Sequence, residues 1–136
     1  MEIRFHDIDE VEDSLYKYAV IVSRYMGKWI FCKNKKRKWE LPGGHREEGE
    51  AILDTARREL FEETGAEQFD LTPVCAYSIN SFGLLLFADI KQLGELPESE
   101  IERIDFFTEI PKDLSFPLHH PEHFKKVKEL LKMGKI

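Results

Sequence analysis

An α/β fold is predicted for this chain from three observations. Runs rich in β-branched and aromatic residues, typical of strands, occur both before and after a long stretch of helix-forming residues. A second stretch with helical spacing ends the sequence. The 136 residues, 42% of them hydrophobic, contain no repeat, flexible linker or low-complexity tract, so we expect residues 1–136 to form a single domain.

The first two strands are predicted to form a hairpin. Leu15 to Ser23 has strand composition, and the short apolar run Trp29 to Cys32 follows the turn-like sequence Met26-Gly27-Lys28. The basic stretch Lys33 to Lys38 is interpreted as a charged loop, with contact to an anionic ligand as the alternative. Pro42-Gly43-Gly44 is predicted to end regular structure and to turn the chain sharply, because proline and glycine interrupt helices and strands.

The first helix is predicted over Glu50 to Thr64. This segment consists mostly of good helix formers, and Leu53, Ala56 and Leu60 recur in it at helical spacing. Gly65 stands where a left-handed C-terminal cap would fall. The spacing and the cap position together indicate a helix that ends at Gly65.

Three further strands are predicted after this helix. They cover Pro73 to Ile79, Phe82 to Ile90 and Ile104 to Phe107. The second of them contains a continuous apolar run, which is typical of a strand covered on both faces. We expect it to lie at the centre of the sheet.

A final helix is predicted near the end of the sequence, with Pro121 in its first turn. Its apolar stripe, interpreted as core packing, consists of Phe124, Val127, Leu130 and Leu131. Three histidines cluster at its start, namely His119, His120 and His123. Solvation at the helix start is favoured over metal binding, because no cysteine or HExxH pattern accompanies them. We assign them no role.

The charge balance excludes one class of partner and favours another. Lys and Arg total 20 against 26 Asp and Glu, a formal net charge of -6. Such a chain has no basic field for duplex DNA, which we do not expect as a partner. A small anionic substrate would also be repelled unless a cation lay between it and the protein, so a metal-bridged site is expected.

The cysteines and the hydropathy pattern indicate a compartment. Cys32 and Cys75 have no CxxC spacing and are too few for a disulfide framework, so they are interpreted as small buried residues in a reduced compartment. No apolar segment has the length needed to cross a bilayer. We expect a cytoplasmic protein without a membrane partner, and the sequence leaves a monomer and a homodimer equally open.

One motif, over residues 44–66, indicates the chemistry of the protein. The pattern Gly44-x5-Glu50-x7-Arg58-Glu59-Leu60-Phe61-Glu62-Glu63-Thr64-Gly65-Ala66 resembles the Nudix box at every fixed position. Its seven fixed identities, at about one in twenty each, would coincide by chance on the order of once in a billion start positions. The lead-in Trp39-Glu40-Leu41-Pro42-Gly43-Gly44 is similar to that of the family. The one departure is Ala66, where a larger aliphatic residue is usual.

The resemblance implies an α/β/α sandwich with a central mixed β-sheet and divalent-metal-dependent hydrolysis of a phosphoanhydride bond in a nucleoside-diphosphate-linked substrate. A short chain without an added domain is most similar to the MutT-type members. That similarity implies a nucleoside triphosphate as substrate, with oxidised dGTP as the leading candidate, and a nucleoside monophosphate and pyrophosphate as products. ADP-ribose, a dinucleoside polyphosphate and an RNA 5′ end are the alternatives.

The box glutamates also indicate a metal site from their spacing. Glu59, Glu62 and Glu63 stand at i, i+3 and i+4, so a helix places their carboxylates on one face. Like charges at this spacing destabilise a bare helix, and a hard divalent cation with oxygen ligands would reverse that cost. A solvated face with salt bridges to Arg57 and Arg58 is the simpler interpretation of three glutamates alone. The complete box makes the metal site the better one.

Individual roles follow from the resemblance. Glu59 and Glu63 are implied as the strongest ligands of Mg²⁺, or of Mn²⁺ as its substitute, with Glu62 assisting. One box glutamate is implied as the catalytic base. Arg58 is implied to orient a neighbouring carboxylate, and Glu50 to support the loop and helix electrostatically. The backbone carbonyl of Gly44 is a plausible further ligand.

Other residues are weaker candidates for metal binding or base stacking, and each has a simpler structural explanation. A late acidic loop supplies a further metal ligand in some family members, and three glutamates stand in a suitable place: Glu98, Glu100 and Glu102. An exposed acidic loop is equally compatible with them. Base stacking is conceivable for Phe5, Tyr77 and Phe82, but aromatic residues on strands more often belong to the core.

Two functions of other classes fit the sequence less well. A non-catalytic Nudix module that senses a nucleotide can lose box carboxylates, whereas all three are present here. A purely structural interaction domain would not explain three repelling carboxylates after a glycine-rich turn. The sequence therefore favours an enzyme.

Overall fold

The computed structural model describes residues 2–136, which form one mixed sheet and two α helices. The elements in chain order are β1 Arg4–His6, β2 Tyr16–Tyr25, β3 Lys28–Asn34, β4 Trp39–Glu40, β5 Gly43–His45, α1 Ile52–Thr64, β6 Ala66–Ile79, β7 Ser81–Leu93, β8 Ile101–Phe107 and α2 His120–Lys132. Two short 3-10 turns, Ile8–Glu10 and Asp13–Leu15, lie between β1 and β2.

The sheet follows the order β1-β6-β7-β2-β3-β4, with β5 paired to β2 and β8 paired to β3. Only the β2–β7 pair is parallel among the strand pairings of residues 2–136. The predicted α/β class with a mixed sheet is confirmed. The apolar run of β7 lies between β6 and β2, so its predicted central position is confirmed as well.

The core has one layer on each face of the sheet. Alternate residues of a strand point to opposite faces, and the buried residues follow this rule. Ile21 belongs to the cluster that packs against α1, whereas its neighbour Val22 belongs to the cluster that packs against α2. The two helices therefore cover opposite faces, which gives the predicted α/β/α arrangement.

Helix α1 starts two residues later than predicted and turns Ile52, rather than Leu53, toward the core. Ala51 is its N-terminal cap residue, and Gly65 ends the helix with a φ of 79° in the left-handed region, as predicted. Ile52 is 3% exposed and packs in the core, whereas Leu53 is 36% exposed. Ile52, rather than Leu53, occupies the core-facing position one turn before Ala56.

The hairpin of β2 and β3 is confirmed. Tyr25 pairs with Lys28 across a two-residue turn, in which Met26 and Gly27 both have positive φ. This is the backbone conformation that tight hairpin turns require. Strands β6, β7 and β8 are all longer than predicted, and β6 begins directly after α1 at Ala66.

The glycine pair does not end regular structure, contrary to prediction. Gly43 and Gly44 belong to β5 and pair with Val20 and Ala19 of β2. A Cβ atom on Gly43 would collide with the carbonyl oxygen of Ala19. Glycine is therefore needed for close backbone packing at this point rather than for a sharp turn.

Several predictions about buried residues are confirmed. Cys32 and Cys75 are buried free thiols. Phe124 and Val127 of α2 are buried and Leu131 packs against the same cluster, whereas Leu130 of the predicted stripe belongs to neither core cluster. Among residues 2–136, no helix is long and apolar enough to cross a membrane.

Candidate active site

The box residues line a cleft of about 880 Å³ between β5, α1, the loop before β8 and the start of α2. Strand β5 places Gly43 and Gly44 beside α1, whose last two turns carry Glu59, Glu62 and Glu63. All five residues line the cleft. The structure therefore brings the glycine pair of β5 and the glutamates of the motif together.

Arg58 connects three parts of the site. Its Nε donates to Glu50 Oε2 at 2.7 Å, its Nη1 to Glu59 Oε1 at 2.6 Å, and its Nη2 to the carbonyl oxygen of His45 at 3.0 Å. The guanidinium thus ties the loop after β5 to α1 and fixes one carboxylate oxygen of Glu59. This geometry supports the orienting role predicted for Arg58.

Glu50 anchors this arrangement from the other side. Besides Arg58, it accepts hydrogen bonds from the Thr55 hydroxyl at 2.6 Å and from the backbone N–H of Glu47 at 3.1 Å. These bonds, those from Arg58 foremost, lower the pKa of Glu50 to about 2. Glu50 is therefore an anion whose oxygens are already engaged, which fits a supporting role rather than contact with substrate.

Glu63 lies deeper in the cleft. Its Oε1 accepts a hydrogen bond from the backbone N–H of Gly43 at 2.7 Å. Burial nevertheless raises the pKa of Glu63 to about 8, and the neighbouring carboxylates Glu59, Glu40 and Glu100 act in the same direction. The folded chain thus holds a carboxyl group in a place with too little positive charge for its ionised form.

Glu59 faces the second glycine. Its side chain is 12% exposed, and burial raises its pKa in spite of the hydrogen bond from Arg58. A Cβ atom on Gly44 would lie 2.6 Å from Glu59 Oε1. Only glycine lets the β5 backbone approach this carboxylate so closely.

Glu62 is more exposed than Glu50 and Glu59, the other two box carboxylates that pair with Arg58. Its side chain is 44% exposed, and its Oε2 lies 3.6 Å from Arg58 Nη1. This distance is too long for a hydrogen bond. Glu62 therefore presents a carboxylate to the open part of the cleft.

The donor set fits a hard divalent cation. Among residues 2–136, no three His, Cys, Asp or Glu side chains converge as ligands, since oxygens of Glu59 and Glu63 are turned to Arg58 and Gly43. Both carboxyl groups nevertheless have pKa values raised by burial, which a cation would offset. All the candidate ligands are oxygen donors, the kind that Mg²⁺ prefers.

The three glutamates of the late acidic loop differ in their position relative to the cleft. Glu98 and Glu100 line the cleft, whereas Glu102 lies on β8 and does not. Glu98 is 96% exposed and pairs with Lys35 at 3.3 Å. Glu100 contributes to the raised pKa of Glu63, so it is the best placed of the three to act on the site.

The histidines of α2 correct the sequence interpretation. His120 and His123 are buried, at 6% and 2% exposure, so solvation at the helix start was the wrong explanation for them. The Nδ1 of His120 accepts a hydrogen bond from the backbone N–H of Leu41 at 3.2 Å. The available signal was spacing, since His120 and His123 continue the helical stripe of Phe124 and Val127.

The remaining candidates lie mostly outside the cleft. Phe5 and Phe82 pack against the two core clusters, and Tyr77 is 2% exposed but lines the cleft. In the basic loop, Arg37 lines the cleft; its guanidinium donates to Glu40 Oε2 at 2.7 Å and lies 5.5 Å from the ring centre of Phe116. Lysines 33, 35, 36 and 38 do not line the cleft.

The sequence of this chain matches a family model and known proteins. The NUDIX domain model matches residues 11–128. A putative 8-oxo-dGTP diphosphatase, YtkD of Bacillus subtilis, is 31% identical over 105 residues, which cover 73% of this chain and 66% of that protein. An RNA pyrophosphohydrolase of Bartonella henselae is 48% identical over 69 residues, which cover 43% of this chain and 40% of that protein. The matched stretches thus span two thirds or less of these relatives.

The fold is also shared with solved structures. A mutant of the Bacillus subtilis pyrophosphohydrolase BsRppH superimposes with a TM-score of 0.78 and 26% identity, covering 93% of this chain and 90% of that one. An ADP-ribose pyrophosphatase from Streptococcus suis superimposes with a TM-score of 0.67 and 16% identity, covering 85% and 90% of the two chains. The second likeness concerns the fold alone.

Proposed function

Since this chain belongs to the Nudix hydrolase family, we propose that it is a divalent-cation-dependent pyrophosphohydrolase that cleaves a phosphoanhydride bond in a nucleoside-diphosphate-linked substrate. The observation that carries the proposal is the pair of half-buried carboxylates, Glu59 and Glu63, held against the β5 glycines in an open cleft. A folded chain gains nothing from such crowding unless a cation and an anionic ligand offset it.

Mg²⁺ is the proposed cation, with Mn²⁺ as its substitute. Glu59 and Glu63 would hold it, Glu62 would assist, and the Gly44 carbonyl is a further candidate ligand. When bound, the cation supplies positive charge that stabilises the negative charge growing on the phosphate oxygens. The charge of -6 on the chain makes such compensation necessary for any polyphosphate substrate.

The protein residues position the reactants. Glu50 holds Arg58, Arg58 holds Glu59, and the Gly43 N–H holds Glu63. The carboxylate of Glu62, which has no ion pair shorter than 3.6 Å among the described residues, is the proposed acceptor of the proton that the attacking water loses. Positioning of this kind accounts for most of the catalysis in phosphoryl transfer.

A nucleoside triphosphate, with oxidised dGTP first, is the proposed substrate, and the products would be a nucleoside monophosphate and pyrophosphate. The likeness to the putative 8-oxo-dGTP diphosphatase supports it. The triphosphorylated 5′ end of RNA is the second candidate, because it presents the same bond and the BsRppH structure covers 93% of this chain. ADP-ribose and dinucleoside polyphosphates complete the panel to be tested.

The test is a hydrolysis panel with products identified by mass. EDTA-stripped protein, with and without added Mg²⁺ or Mn²⁺, is incubated with nucleoside triphosphates, 8-oxo-dGTP, ADP-ribose, a dinucleoside polyphosphate and 5′-triphosphorylated RNA. We expect turnover only with added cation and the highest kcat/KM for a nucleoside triphosphate. Equal hydrolysis without cation would refute the metal mechanism, and no turnover of any compound would favour a nucleotide-sensing module.

A further inference from the structure

A continuous row of aromatic rings lines the cleft beside the glutamates. In spatial order the row consists of His45, Tyr18, Tyr77, His123, His120 and Phe116. Successive ring centres are separated by 5.7, 5.9, 4.5, 5.6 and 5.2 Å. The row starts next to Gly44 and ends in the loop before α2. We call this set of six residues the ring row.

The ring row and the box carboxylates line the same cleft. The backbone N–H of Leu41 donates to His120, and the backbone N–H of Gly43 donates to Glu63. The cleft of about 880 Å³ has the volume of a small-molecule site. A base can therefore lie on the ring row while its phosphates meet the carboxylates of the same cleft.

Within this row, the ring nitrogens of His123 lack hydrogen-bond partners. It is 2% exposed, and neither its Nδ1 nor its Nε2 has a hydrogen-bond partner among residues 2–136. Burial lowers its pKa well below the ordinary histidine value, so the ring is neutral and offers one donor and one acceptor. Buried polar atoms are nearly always bonded, and a side chain with two orphaned nitrogens needs an explanation.

We propose that the ring row binds the nucleobase of the substrate and that His123 is its specificity-determining residue, hydrogen-bonding the polar edge of the base. The inference rests on the proposed function and names the group that selects the substrate. Aromatic rings stack on any base and so give affinity without selection. A buried polar group selects, because a base that fails to satisfy it leaves it unpaired.

Ordinary core packing is the alternative explanation for these rings. It accounts for Tyr77, which lies against Gly83 where any Cβ would collide with its ring. It does not account for His123, since an apolar residue of the same size would pack there without two orphaned nitrogens. Both nitrogens are covered, so a neighbouring ring of the row has to move aside before a base can bond to them.

The test measures binding rather than turnover. AMP, GMP, CMP, UMP and 8-oxo-GMP are titrated by calorimetry into the wild type and the His123→Phe variant. We expect the wild type to prefer its best base by about tenfold or more, and the variant to lose about tenfold of that preference, the effect of one buried hydrogen bond. An unchanged preference in folded His123→Phe protein would overturn the proposal.

Two measurements keep the result interpretable. The matched control is His6→Phe, a histidine on β1 that does not line the cleft, and it should keep the wild-type preference. In wild-type protein, the ¹⁵N resonances of His123 should shift when the preferred monophosphate is added; unmoved resonances at saturation would also overturn the proposal. Base-selective binding that depends on His123, without any hydrolysis, would sustain this inference while refuting the proposed function.

Discussion

Replacement of Glu63 by glutamine should move stability and activity in opposite directions. In the folded chain the pKa of Glu63 is about 8, whereas an unfolded chain ionises a glutamate near a pKa of about 4.3. Unfolding therefore releases a proton between these values, so the carboxyl costs stability as the pH rises from about 4.3 to 8. Glutamine avoids this cost and can still accept the hydrogen bond from the Gly43 N–H.

The magnitude follows from the pKa difference. Each unit corresponds to about 1.4 kcal/mol, which sets an upper limit of about 4 kcal/mol near pH 7.5. Because the residue is only partly buried, solvent screening reduces the value, and we expect roughly 1–3 kcal/mol. Without the carboxylate, kcat in the presence of Mg²⁺ should fall by roughly a hundredfold or more.

Urea unfolding of EDTA-treated wild type and Glu63→Gln protein, at a series of pH values from 4 to 8, measures the effect. The two free energies of unfolding should coincide near pH 4 and diverge toward pH 8, with the variant the more stable. Glu67→Gln, an exposed glutamate of β6 just outside the box, is the matched control and should follow the wild type. A variant that is less stable than wild type at pH 8 would refute the burial argument.

Three other variants test the rest of the site. Glu59→Gln should also lower kcat by roughly a hundredfold or more with little change in KM, and steady-state kinetics at saturating Mg²⁺ would contradict this if turnover stayed near wild type. Arg58→Lys keeps the charge but loses the forked guanidinium that joins Glu50 to Glu59. We therefore expect kcat to fall by at least tenfold, an effect of about 1.4 kcal/mol, while KM changes little. A change confined to KM would contradict the positioning role. Gly44→Ala places a methyl group 2.6 Å from Glu59 Oε1, so Mn²⁺ affinity measured by electron paramagnetic resonance should fall, and unchanged affinity would show that Glu59 does not hold the cation.

The sequence predicted the parts of the fold that local signals control. The Met26-Gly27 turn and the Gly65 cap both depend on positive φ at a glycine, which a sequence displays directly. The pairing of Gly43 with Val20 depends instead on strands that are distant along the chain. In the sequence alone, such a glycine indicates the end of a strand. Its close contact with Ala19 of β2 becomes visible only in the structure.

The same distinction applies to the site. The glutamates of α1 were predictable because a helix fixes their relative positions. The ring row was not, since its members come from β2, β5, β6, α2 and the loop before α2. The environment of His123 was predicted wrongly. A polar residue near a helix start is usually solvated, but His123 lies on the apolar stripe of α2 and is buried in the core.

The bond between Glu50 and Arg58 has a consequence for how the enzyme responds to acidity. The pKa of Glu50 is about 2, and the pKa of Arg58 is raised by the same hydrogen bonds. Neither partner changes charge near neutral pH, so the frame that holds Glu59 is electrically constant there. A bend in a plot of log kcat against pH in this range then originates in groups other than Glu50 and Arg58, such as the cleft carboxylates, the substrate phosphates or the attacking water.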